Sequence, residues 1–145
     1  STPGTYTLKY RMYRFGQGYF GDTLSKTITV RSPTPNSQVI SNTLPDTMNQ
    51  GESTTVTLTF KNTGDTTWDW TDGTHYTSYA LAPISGASTF SAGWLRASIT
   101  APGEDCTFTA SITAPSTPGT YTLKYRMYRF GQGYFGDTLS KTINI

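Results

Sequence analysis

Apolar and polar residues alternate one for one along most of this chain, and a period of two puts successive side chains on opposite faces of a β-strand. Over residues 53–60, Val56, Leu58 and Phe60 share one face, with Thr55, Thr57 and Thr59 on the other. Over residues 105–113, Cys106, Phe108, Ala110 and Ile112 alternate with Thr107, Thr109, Ser111 and Thr113. Residues 120–129 set Tyr121, Leu123, Tyr125 and Met127 against Thr122, Lys124 and Arg126. A last strand turns Leu139, Ile143 and Ile145 inward, with Lys141 interrupting the face near its rim. Weaker strands are expected at Val39 and Ile40 and over residues 67–70, 79–83 and 94–99. Turn residues punctuate the pattern around Gly51, Gly64, Asp72 and Gly73, Gly103 and Gly119. No window carries a helical period with caps, so the pattern predicts an all-β antiparallel sandwich, one face of each sheet apolar and the other threonine.

The pattern also repeats. Residues 1–30 return as residues 116–145, an offset of 116 − 1 = 115 positions, changed only at Thr29 and Val30, which become Asn144 and Ile145. Such near-identity inside one chain marks a tandem array of modules of about 115 residues, a length that suits one immunoglobulin-like sandwich. The reading is therefore residues 1–30 as the last two strands of a preceding repeat, residues 31–37 as a proline-bearing linker, and residues 36–145 as a complete repeat. A two-stranded hairpin alone is marginal in water, so residues 1–30 are expected to need a further sheet partner.

Composition narrows the function. Charged residues make up 14% of the chain, against about 25% in ordinary domains, and the net charge of +2 is too small to argue for nucleic acid. No run approaches the ~20 apolar residues of a membrane-spanning helix. The single cysteine cannot form an intrachain disulfide, so the core must hold by packing. The chain starts inside a strand pattern, which is expected of a window on something longer, and the lack of a leader therefore says little about compartment.

Four stretches carry a family resemblance: KNTGDTTW at residues 61–68, TAPSTPGTY at 113–121, YRM at 125–127 and GYFG at 133–136. In this order they resemble the four-tryptophan immunoglobulin-like domain of a eukaryotic autophagy cargo receptor and of many prokaryotic surface and secreted proteins. Trp68 is the clearest retained tryptophan, while Tyr125 and Leu58 stand where the family can carry one. The resemblance implies the sandwich fold and a role in protein–protein contact or surface display, and no catalysis. Read from the residues, Tyr121 just after Pro118 and Gly119 looks like a tyrosine corner, its hydroxyl bonding a backbone group upstream.

The candidate chemistry is thin. Cys106 runs in phase with Phe108 and Ile112 and is read as core, together with Trp68, Tyr121, Leu123, Tyr125 and Met127. The one histidine, His75, lies in another turn from Cys106, so a nucleophile–base pair is not expected. Asp65, Asp69 and Asp72 gather in the run GDTTWDWTDG and form a weak calcium candidate, although aspartate is ordinary in turns. Lys124, Arg126 and Arg129, with Lys9, Arg11 and Arg14 in the partial copy, read as a solvated strand face. Trp70, Tyr76, Tyr79, Tyr128 and Tyr134 are candidate interface or ligand aromatics, able to stack on sugar or to pack on a neighbour. The chain contains no Asn-x-Ser/Thr sequon. An isopeptide bond from Lys61 or Lys141 is not expected, because no buried carboxylate is well placed. The sequence thus points away from enzymes and cofactors. It favours an extracellular or cell-surface structural repeat whose partners are neighbouring copies, with an adhesive or carbohydrate-binding module as the alternative.

Overall fold

The computed structural model describes residues 2–70 and 78–145, and the chain divides into two compact units, Ser1–Pro33 and Thr34–Ile145. The first unit is an antiparallel ribbon of β1 (Gly4–Arg14) and β2 (Gly18–Val30). The second contains β3 (Ser37–Asn42), β4 (Ser53–Asn62), β5 (Tyr79–Ser85), β6 (Leu95–Arg96), β7 (Asp105–Thr113), β8 (Thr120–Arg129) and β9 (Gly133–Asn144). Among the described residues there is no helix.

Two antiparallel sheets, ordered β3-β4-β7 and β6-β5-β8-β9, make the sandwich of the second unit. Alternation decides what lies between them. Val56, Leu58 and Phe60 of β4 and Phe108, Ala110 and Ile112 of β7 meet Leu81, Leu123, Tyr125, Met127, Leu139 and Ile143 of the other sheet in one buried core. On the outer face of the smaller sheet the threonines stand opposite one another, and hydroxyls bond across the strands, Thr59 to Thr107 at 3.0 Å and Ser53 to Thr113 at 2.8 Å. A branched Cβ suits the pleat there while the hydroxyl stays hydrated.

Two weak strands turn out differently. Residues 67–70 form no strand: Trp68 makes a single bridge to Thr100, its side chain fully buried. The buried Asn62 amide fixes this loop by donating to the carbonyls of Thr66 and Thr100, so a side chain does what a ladder would otherwise do. The strand expected over residues 94–99 shrinks to Leu95–Arg96. The linker is also shorter than residues 31–37. The Thr34 N–H donates to Asp65 Oδ1 at 2.7 Å, Asn36 accepts from the Thr63 N–H, and Ser37 is buried at the start of β3.

Candidate functional site

The feature that most calls for a partner is the ribbon of the first unit. Its pairing reproduces that of β8 and β9 residue for residue: Tyr6 faces Ile28 as Tyr121 faces Ile143, and Tyr10 faces Leu24 as Tyr125 faces Leu139. Both ladders slip at the same place, between Arg11 and Met12 and between Arg126 and Met127. The two extra residues on the long strand, Gly21 with Asp22 and Gly136 with Asp137, form the bulge. The local bonds are duplicated too. Tyr121 Oη donates to the Thr117 carbonyl at 2.9 Å, the corner expected from the sequence, and Tyr6 Oη donates to the Thr2 carbonyl at 2.8 Å. Arg126 Nε and Arg11 Nε donate to the carbonyls of Gly136 and Gly21, each at 2.9 Å.

What differs is the cover. Leu123, Tyr125 and Met127 are fully buried, whereas Leu8, Tyr10 and Met12 are 46%, 64% and 65% exposed. Leu24, Ile28 and Phe20 are likewise exposed where Leu139, Ile143 and Phe135 are buried. A contiguous apolar face of this kind marks an interaction surface.

In the complete sandwich the closing hairpin is held in three ways. The edge of β8 pairs with β5, from Tyr79 opposite Arg129 to Ser85 opposite Lys124. At the far end of β9, the Asn144 N–H donates to the Asp46 carbonyl, the Met48 N–H donates to the Asn144 carbonyl, and Lys141 pairs with Asp46. At the bulge, Gly136 has φ +69 and sits under β3 so closely that a Cβ there would lie 2.0 Å from Ser37 Oγ. Gly21 keeps nearly the same φ, +70, yet a Cβ there would meet nothing within 4 Å. The ribbon therefore carries a glycine shaped for a strand crossing that its own unit does not supply.

A second surface gathers aromatic rings at the turn joining β8 and β9. Tyr128 packs edge-on against Tyr134 and Phe130, with centroids 4.9 and 5.2 Å apart, and Trp94 lies 5.2 Å from Tyr128 and 5.6 Å from Phe130. Trp70 meets Phe130 at 5.5 Å, and the Arg96 guanidinium lies 5.1 Å over the Trp70 ring. Trp94 and Tyr134 are about half exposed. The ribbon repeats the lower half of this cluster, Tyr13 against Phe15 and Tyr19, but Phe15 is 92% exposed. In the sandwich, Trp70 and Trp94 cover the corresponding Phe130. Sequence reasoning singled out neither Trp94, Phe130 nor Arg96. The recurrence of Phe130 at position 15, next to the same turn, was the available signal.

Comparison with known proteins agrees with this architecture. Residues 43–145 match the model of the Ig-like domain from next to BRCA1 gene. The chain belongs to that family. The matched span ends with the closing hairpin, the part that residues 1–30 repeat. No curated protein matches. Among solved structures the chain is similar to the S-layer protein SbsC domains 4 and 5, with 16% identity and a TM-score of 0.42. That alignment covers 98% of this chain and 57% of the solved one, so the chain spans little more than half of that structure's length.

Within this immunoglobulin-like domain several of the remaining candidates occupy packing and hydrogen-bonding positions. Tyr79, expected as an accessible aromatic, is buried: its ring stacks edge-on with Phe135, and its hydroxyl bonds Thr66 Oγ1 at 2.8 Å. The inward phase of β5, invisible in so short an apolar run, makes that choice. Cys106 is buried in the core, with Ser98 Oγ 3.3 Å from its sulfur. Tyr121 is half-buried and packs edge-on against Phe90. Asp65 accepts the Thr34 N–H, and no group of three metal-ligating side chains occurs among the described residues. Asp72, His75 and Tyr76 lie outside the described residues. Arg129 donates to Gln132 Oε1 and lies over the Tyr79 ring, so its planar cation serves the hairpin itself. Burial raises the Tyr125 phenol above its ordinary value of 10.0, and its hydroxyl donates to the Gly93 carbonyl at 3.3 Å.

Proposed function

We propose that this protein is a non-catalytic structural repeat module of an extracellular filament, sheath or cell-surface stalk, of the four-tryptophan type, working through repeat-to-repeat contacts. The observation that carries the reading is the duplicated hairpin, whose pairing, bulge and corner are those of a closing hairpin while its core face stands exposed. Near-identical modules make identical contacts, and contacts that do not close on themselves extend an assembly without limit. The outer threonine face, with little charge, suits close lateral packing in such an assembly. The mass of the protein isolated from cells tests this. A surface-fraction species many times 15.9 kDa, with peptides recurring every 115 residues, supports it, and a lone intracellular species near 16 kDa overturns it.

A second reading, a carbohydrate-binding or adhesive accessory module, is favoured by the half-exposed rings of Trp94 and Tyr134. The rings of that cluster pack mostly edge-to-face, which buries ring faces against one another where a sugar platform would present them. Glycan-array binding by the 145-residue chain, lost in Trp94→Ala and Trp70→Ala, would move the assignment to this second reading.

A further inference from the structure

We infer that the exposed face of the β1–β2 ribbon is a docking surface for the open shell of another copy of this same repeat. That shell is the part equivalent to residues 34–113, from β3 to β7, joined upstream of the ribbon in the order shell, then hairpin. The inference rests on the repeat-module reading and deepens it by naming the strands and side chains of the shell that the hairpin would meet.

The complete unit shows what these residues fit. Apart from Val30, which stands where the sandwich has Ile145, every side chain on the apolar face of the ribbon is identical to its counterpart in the closing hairpin, where Leu123, Tyr125, Met127, Phe135, Leu139 and Ile143 are buried. The two substitutions fall at the end of the second strand, where Asn144 meets the shell through its backbone N–H and carbonyl and directs its side chain to Thr120 of its own hairpin. Thr29 can make the same two backbone bonds. Lys26 is the counterpart of Lys141, which reaches Asp46 of the shell. The edge of β1 corresponds to the edge of β8 that pairs with β5, so its unpaired N–H and carbonyl groups have a complementary strand to meet. Phe15 corresponds to Phe130 and requires the equivalents of Trp70 and Trp94 as cover.

The direction of attachment follows from the corner. In the complete unit the chain leaves β7 and turns through Thr117 to Gly119 into β8, and the Tyr121 hydroxyl pins that turn. The ribbon keeps the same turn pinned by Tyr6 to Thr2. It is set to receive a chain arriving from a facing sheet, which an upstream shell supplies and a freely diffusing partner does not.

The test compares the 145-residue chain with the same chain extended upstream of Ser1 by a copy of residues 31–115, which keeps the 115-residue period. A Leu24→Cys reporter is titrated with a thiol reagent, the buried Cys106 serving as an internal slow control. In the 145-residue chain the reporter should react as a free thiol. In the extended chain it should react at least about 100-fold more slowly, the protection expected of a core position in a stable unit. Gly21→Asn supplies the second arm, because asparagine tolerates a positive φ but its side chain would strike the crossing strand. It should lower the melting temperature of the added repeat in the extended chain and leave the 145-residue chain unchanged. Equal reactivity in the two chains, an added shell that stays unfolded, or a silent Gly21→Asn overturns the inference. So does protection of the extended chain that appears only at high concentration, as a dimer, since that assigns the face to exchange between chains. Failure here leaves the mass test of the array standing on its own result, and failure of the array leaves the docking result intact.

Discussion

At the scale of single residues, the paired copies supply their own controls. Gly136 and Gly21 share sequence, bulge and backbone conformation, but only Gly136 is overlaid by Ser37. Gly136→Ala therefore combines the cost of a positive φ with a backbone collision. It is expected to destabilise the sandwich by more than about 3 kcal/mol in chemical denaturation, against about 1 kcal/mol of local strain for Gly21→Ala, which should leave the main transition in place. Tyr125 gives a pH dependence. The folded state holds its phenol neutral more firmly than the unfolded chain does, because burial disfavours the phenolate. The stabilisation is therefore fully present below the ordinary tyrosine value and is lost as pH rises through the raised one. The melting temperature is expected to fall above about pH 10, and Tyr125→Phe should flatten that fall while costing about 1 kcal/mol at neutral pH through the lost bond to Gly93.

At the scale of elements, β8 and β1 have the same ten-residue sequence in different surroundings, Thr120–Arg129 and residues 5–14. Strand formation and the slip at the bulge travel with the sequence, while burial does not. Leu123→Ala removes a fully buried side chain from the core and is expected to cost about 2–5 kcal/mol. Leu8→Ala, the same change on the exposed face, should leave the midpoint of the main transition within about 0.5 kcal/mol. Parallel urea titrations of the two variants check the contrast, and a large effect of Leu8→Ala would mean that the ribbon face is covered.

At the scale of the whole molecule, the ribbon presents an uncovered apolar face and two open strand edges, a combination that promotes self-association. The 145-residue chain is expected to associate reversibly with rising concentration in sedimentation velocity. Met12→Lys with Leu24→Lys, both on exposed positions, should reduce that association without lowering the melting temperature of the sandwich. Association unaffected by the double change would assign it elsewhere, the aromatic cluster around Trp94 and Tyr134 being the next surface to test.

The strongly alternating strands, the inward phase of Leu58, Phe108, Leu123 and Tyr125, the corner at Tyr121 and the period of 115 residues were all legible in the chain. They are local or repetitive properties: alternation is written into each strand by its own side chains, and a duplicated segment displays itself. The loops have no period to read. That Phe90 enters the core, that Tyr79 turns inward while Trp94 and Tyr134 stay near the surface, and that Trp70 and Trp94 cover Phe130 are outcomes of contacts between residues far apart in sequence. Tertiary structure also gives Gly136 its purpose, because only the crossing of β3 over β9 makes a Cβ intolerable there. The same residues stand exposed in one hairpin and buried in the other, so burial belongs to the sheet they meet and not to the strand they form.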